Sequence, residues 1–200
     1  MMKPTLFVAG LGRCGTSLVL QMLDAAGMKC AGKYPDFEPV EMKSFSKPVD
    51  TSWLKSNAGS AIKWLDPHKV RVATSEIDAS VIWMHRDHHQ QAKSQAKFME
   101  ALLGVHLARS DISKLKNQLR TETKLALRAT RPLPLHVICF ERLLSEPAET
   151  AANIVQFLHG TGHQFSHDPV SLMADQVIPR KPKCMPDLSI EAFLVEQSRC

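Results

Sequence analysis

Three stretches of the chain are apolar at consecutive positions: Thr5–Ala9 (TLFVA), Ser80–Met84 (SVIWM) and Leu135–Phe140 (LHVICF). Short continuous runs of this kind, rich in β-favouring residues, predict strands buried in a parallel sheet. Ala61–Leu65 (AIKWL) and Val70–Thr74 are shorter strand candidates. Elsewhere the apolar positions recur every three or four residues. Gly15–Ala26 carries Leu18, Met22 and Ala25 on one stripe, and Gly27 stops it. Further helices are predicted from about His88 to Leu103, from about Asp111 to Arg131 (ended by Arg131-Pro132), and over Pro147–Leu158, with Gly160 beyond. Lys29–Thr51, rich in Pro, Lys and acidic residues, reads as an irregular excursion. From His159 the chain is Pro-rich and loop-like, with a short helix near Ser189–Glu196.

Strands that alternate with helices predict an α/β fold. The expected architecture is a P-loop-NTPase-like, three-layer fold: a mostly parallel central sheet with helices on both faces. The expected organisation is one domain over residues 1–200, with 160–200 as its loop-rich C-terminal part.

Composition narrows the class. Hydrophobic residues make up 44% and charged residues 22% of 200 residues, the balance of a globular protein. No apolar run approaches the roughly 20 residues of a membrane helix, and Leu6–Leu11 is too short for a signal-peptide core. Five cysteines without a C-x-x-C motif argue against a disulfide framework and for a reducing, cytoplasmic setting. The formal charge of +5 suits an anionic ligand and is too small an excess to indicate nucleic acid.

The first strand runs into Gly10-Leu11-Gly12-Arg13-Cys14-Gly15-Thr16-Ser17, which has the G-x4-G-x-S spacing of a Walker A loop with Thr16 in place of its Lys. Glycines let backbone N–H groups converge, and the following helix N-terminus adds partial positive charge. Thr16 and Ser17 add hydroxyls, and Arg13 adds a cation. After Ser80–Met84 come Arg86 and, eight residues later, Ser94. With Arg86 ending the strand and Ser94 two turns into the helix, both face the C-terminal edge of the sheet, where open α/β sheets bind ligands.

Together these segments resemble the sulfotransferases that use 3′-phosphoadenosine 5′-phosphosulfate (PAPS). GLGRCGTSLVLQML is similar to the family's 5′-phosphate loop, and VIWMHRDHHQQAKSQAKF to its 3′-phosphate element. CFERLLSEPAETAANIVQFLHG resembles a third, structural element, and GKYPDFEPVEM a motif of a soluble, bacterial-type branch. The resemblance implies that Gly12, Arg13, Cys14, Gly15, Thr16 and Ser17 hold the 5′-phosphosulfate and that Arg86 and Ser94 hold the 3′-phosphate. It extends to Arg180-Lys181, a late basic pair, although Pro182 stands where the family has a Gly with a free N–H.

The activity implied is sulfuryl transfer from PAPS to an acceptor hydroxyl or amine on a small molecule, lipid or carbohydrate, leaving PAP. Such chemistry needs cations on the transferring group and a base, and no metal. Arg13 and Lys63 are the candidate cations. For the base, Glu38 leads Glu41 and His68. The rivals are an ATP-dependent P-loop kinase of a small molecule or nucleotide, with Glu141 the nearest approach to a Walker B carboxylate, and a non-catalytic nucleotide-binding protein. Four other signals read as structural: Asp87 as a helix N-cap, the Lys116/Arg120/Lys124/Arg128 stripe as a solvated face, His159/His163/His167 as a broken ligand row, and Cys14 as a loop residue despite a helix N-terminus that lowers thiol pKa.

Overall fold

A computed structural model describes residues 4–178. Its centre is a sheet of four parallel strands, β1 (Thr5–Gly10), β2 (Ala61–Leu65), β3 (Ala79–His85) and β4 (Leu135–Cys139), in the order β2-β1-β3-β4. Leu6 pairs with Ala61 on one side and with Ser80 on the other. The helices are α1 (Thr16–Ala25), α2 (Thr51–Ser56), α3 (His88–Leu103), α4 (Arg109–Thr130), α5 (Phe140–Ser145), α6 (Pro147–Gly160) and α7 (Val170–Ala174).

Alternation of side chains along the strands explains the unbroken apolar runs. Leu6, Val8, Ile82 and Met84 join α1, α5 and α6 residues in a core on one face. Phe7, Ala9, Val81 and Trp83 join Leu54, Leu119 and Ala126, from α2 and α4, in a core on the other. Each strand of the centre therefore has two apolar faces and no polar one.

The edges depart from that rule. On β4 only Ile138 is buried, while Leu135 and Val137 are 38% and 54% exposed. The strand pairs with β3 alone, so its apolar run reflects one covered side. Phe140, expected in the strand, instead opens α5. Glu146 precedes Pro147 and sits at φ −134°, ψ 59°, which separates α5 from α6, because a residue before proline is pushed out of the α region.

Val70–Thr74 is not a strand. Asp66 ends β2 in a left-handed conformation (φ 49°), and its carbonyl accepts the N–H groups of Lys69 and Val70 in a turn. Val70 is buried, and its carbonyl accepts the indole N–H of Trp64. The excursion after α1 contains a 3-10 turn, Val40–Lys43, and gives way to α2, capped by the Asp50 carboxylate on Ser52 N–H at 2.8 Å. Asp87 caps α3 by accepting from His89 and Gln90. The tail holds the short α7, packed on α1 and α6. The expected helix near Ser189–Glu196 lies outside the described residues. No described helix is long and apolar enough to cross a membrane.

Candidate active site

The loop after β1, the middle of β2 and the end of β3 deliver the site's cations. β1 leads into the glycine loop. Gly15 has φ 103°, and a Cβ there would meet the Phe140 ring at 2.4 Å. Glycine is therefore required twice, for the backbone and for the space. Arg13, also left-handed at φ 68°, swings its side chain across the sheet edge. Its Nε donates to Ser94 Oγ at 3.3 Å, and its guanidinium lies over the Phe98 ring. Burial and the nearby Arg86 charge lower the Arg13 pKa to about 10, so the group stays charged at neutral pH.

Arg86 stands one residue beyond β3 and is 8% exposed. It donates to the Arg13 carbonyl at 3.0 Å and stacks on Phe140, 4.5 Å from the ring centre. Arg86 and Ser94 thus meet through Arg13, one on its backbone and one on its side chain. Cys14 is buried in the core, and burial pushes its thiol up to about 12. The lowered thiol pKa suggested by its place at a helix N-terminus is overturned, since desolvation of a thiolate outweighs the helix field. Thr16 is buried, and α1 begins without a side-chain cap. Such a helix start is the usual place for an anion, because first-turn N–H groups have no acceptor within the helix.

Lys63 lies in the middle of β2, 4% exposed. Ile62 and Trp64 face the α2–α4 core, so Lys63 points to the opposite side, towards α1. Its Nζ donates to Ser17 Oγ (2.9 Å), to the Asp36 carbonyl (2.8 Å) and to Glu38 Oε1 (2.7 Å). Burial lowers the Lys63 pKa, and the Glu38 charge opposes that shift. At Glu38 burial pushes the carboxyl up, but Lys63 and then Lys43, 3.6 Å from Oε2, bring it below its ordinary value. Glu38 is therefore ionised at neutral pH.

Glu38 opens onto a cleft of about 450 Å³, whose walls include Glu41, Lys43 and Trp53. His68 is elsewhere: its Nε2 lies 4.0 Å from Glu122 on α4. Among the three base candidates the structure therefore brings Glu38 and Glu41 to the cleft and sets His68 apart. Arg180 and Lys181 lie outside the described residues.

No family model and no curated sequence matches the chain. Solved structures do. A mouse sulfotransferase complexed with PAP superposes with a TM-score of 0.60 at 11% identity, over 86% of this chain and 64% of that one. Retinol dehydratase in complex with androsterone and inactive cofactor PAP gives 0.56 at 15%, over 88% of this chain and 64% of that one. A sulfotransferase from Alicyclobacillus acidocaldarius gives 0.51 at 14%, over 97% and 90%. The chain has the sulfotransferase fold. It spans just under two thirds of the length of the first two of these proteins.

On this sulfotransferase fold, several residues around the loop were missed by sequence reasoning. Gln91 and Gln95 both donate to the Gly12 carbonyl, at 2.8 and 3.1 Å. With Ser94 they sit at i, i+3 and i+4, one face of α3, a pattern readable in QQAKSQ. Phe140 supports both Gly15 and Arg86, and nothing local marks it. Asp66, whose carboxyl pKa is raised by burial, follows β2, and its backbone N–H donates to the Gly10 carbonyl at the start of the loop at 3.0 Å.

Proposed function

We propose that this chain is a PAPS-dependent sulfotransferase, acting as one domain over residues 1–200, that moves a sulfuryl group to an acceptor hydroxyl with Glu38 as base. The observation that carries the reading is the convergence of Arg13, Lys63 and Arg86 on the uncapped N-terminus of α1, with Glu38 2.7 Å from Lys63. Three cations, the three hydroxyls of Thr16, Ser17 and Ser94, and a helix N-terminus fit a ligand with two separate phosphate-type anions. A cytoplasmic setting suits the free thiols of Cys14, Cys30 and Cys139.

PAPS, when bound, supplies an activated sulfuryl group whose departure leaves charge on a phosphate oxygen. Lys63, Thr16, Ser17 and the first N–H groups of α1 hold the 5′ end. Arg86 and Ser94 hold the 3′-phosphate, and Arg13 lies between the two sets. Glu38, ionised by its lysine neighbours and facing the cleft, takes the proton of the acceptor hydroxyl at a carboxylate oxygen. The kinase alternative loses support at Glu141. One of its oxygens accepts Asp87 N–H at 3.1 Å and the other faces Cys139 Sγ at 3.1 Å, so it braces the β3–α3 junction.

Calorimetric titration with PAP, ATP and AMP tests the reading. PAP is expected to bind in the micromolar range without a metal, with ATP and AMP far weaker. Preference for ATP with Mg²⁺, or no PAP binding, overturns it.

A further inference from the structure

The cleft beside Glu38 has a composition that its place next to the base does not by itself require. Three lysines, Lys29, Lys33 and Lys43, supply only hydrogen-bond donors. Asp36, Glu38 and Glu41 supply only acceptors, and Asn57 supplies both. Among the described residues, Trp53 is its only aromatic wall. The cleft volume of about 450 Å³ lies within the roughly 300–1,000 Å³ of small-molecule sites, but those sites are mostly apolar and this one is ringed with charge.

This wall discriminates between acceptor classes. Glu38 is paired with Lys63 and Lys43, but an apolar alcohol would still offer no hydrogen-bond partner to the Asp36 and Glu41 carboxylates or to Asn57 on the same wall. Along the lining itself an anionic acceptor meets as many carboxylates as lysines, three of each, with the Glu38 carboxylate at the point of transfer. A pyranose ring offers alternating hydroxyl donors and acceptors around its rim and an apolar C–H face for a flat indole.

From this we infer that the acceptor is a neutral saccharide, seated against Trp53 with one hydroxyl at Glu38. The inference rests on the sulfotransferase reading for the fate of that hydroxyl, and on the cleft alone for the class of ligand.

The tryptophans make the test local. Trp64 and Trp83 are 1% and 2% exposed, whereas Trp53 is partly exposed at the cleft. The protein is titrated with maltose, cellobiose and N,N′-diacetylchitobiose, and separately with 4-nitrophenol and cyclohexanol, while intrinsic fluorescence is followed. At least one disaccharide is expected to change the emission. Trp53→Phe is expected to abolish that change while calorimetry still detects binding. Trp53→Ala is expected to weaken binding by roughly tenfold. Because Trp53 also packs on the core, Lys33→Met at an exposed position provides a second variant, expected to weaken the disaccharide without altering the thermal midpoint. Binding of 4-nitrophenol or cyclohexanol with no response to any disaccharide overturns the inference. PAP calorimetry on the same sample separates the two failures. PAP binding without saccharide binding overturns the acceptor class alone. Saccharide binding without PAP binding overturns the donor reading and leaves the cleft assignment standing. If neither binds, both fall.

Discussion

Lys63 Nζ and Glu38 Oε1 lie 2.7 Å apart, and this contact joins the edge strand β2 to an excursion that contributes no strand of its own. The same ammonium holds Ser17 of the glycine loop, so the donor side and the base side of the site share one cation.

The pH dependence of turnover follows from that pair. Burial raises the Glu38 pKa, but Lys63 and Lys43 bring it below the ordinary 4.5. The acid limb of the pH–rate profile is therefore expected below about pH 4.5. In Lys63→Met the main opposing charge is gone and burial remains, so the limb moves to higher pH as kcat falls. Stability follows the same sign. A depressed carboxyl stabilises the fold above its unfolded pKa, and the contribution is lost as pH falls through the folded value. Urea denaturation from neutral pH downwards is expected to show a smaller loss in Glu38→Gln than in the wild type, the remainder belonging to other lowered carboxyls such as Glu122.

Glu38→Gln separates chemistry from binding. It keeps the shape and an acceptor for Lys63 but cannot take a proton. Turnover is expected to fall by about 10²–10⁴-fold, the usual scale for a lost general base. PAP affinity measured by calorimetry is expected to change far less than turnover, since Glu38 reaches the donor side only through Lys63.

Arg86→Ala tests the other end of the donor. The guanidinium holds the Arg13 carbonyl and stacks on Phe140. Loss of a charge-assisted contact is expected to cost about 1.5–3 kcal/mol, or roughly 10–100-fold in the Kd for PAP. The loss is expected to be smaller for a ligand lacking the 3′-phosphate, such as AMP.

Gly15→Ala is a structural test. The new Cβ would meet Phe140 at 2.4 Å and sit on a backbone at φ 103°. The strain is expected to cost about 2 kcal/mol or more, read from the urea midpoint. Phe140→Leu in the same chain relieves the clash but not the dihedral, so it recovers only part of the loss.

The centre of this fold was legible because its signals are local. Thr5–Ala9 and Ser80–Met84 are buried on both faces, and a continuous apolar run says so directly. Asp87 lies one residue before α3 and reads as a cap from the sequence alone. The glycine loop is equally local. What the sequence could not supply were relations across distance. Phe140 lies 125 positions from Gly15, and no periodicity links them. Val70 is as apolar as a strand residue, but its carbonyl is taken by the Trp64 indole within a turn. His68 stands only three residues beyond β2, and the turn at Asp66 carries it to α4 and away from the cleft.

An ammonium group has three N–H bonds, and Lys63 has all three engaged inside the protein: with Ser17, with the Asp36 carbonyl and with Glu38. Any anion that reaches this nitrogen must displace one of them. Release of Ser17 would leave the excursion untouched, while release of Asp36 or Glu38 would loosen the wall on which an acceptor rests. In that second case, occupancy of one half of the site is felt as a change of footing in the other. Thermodynamic reciprocity then requires that acceptor binding alter donor affinity by the same factor.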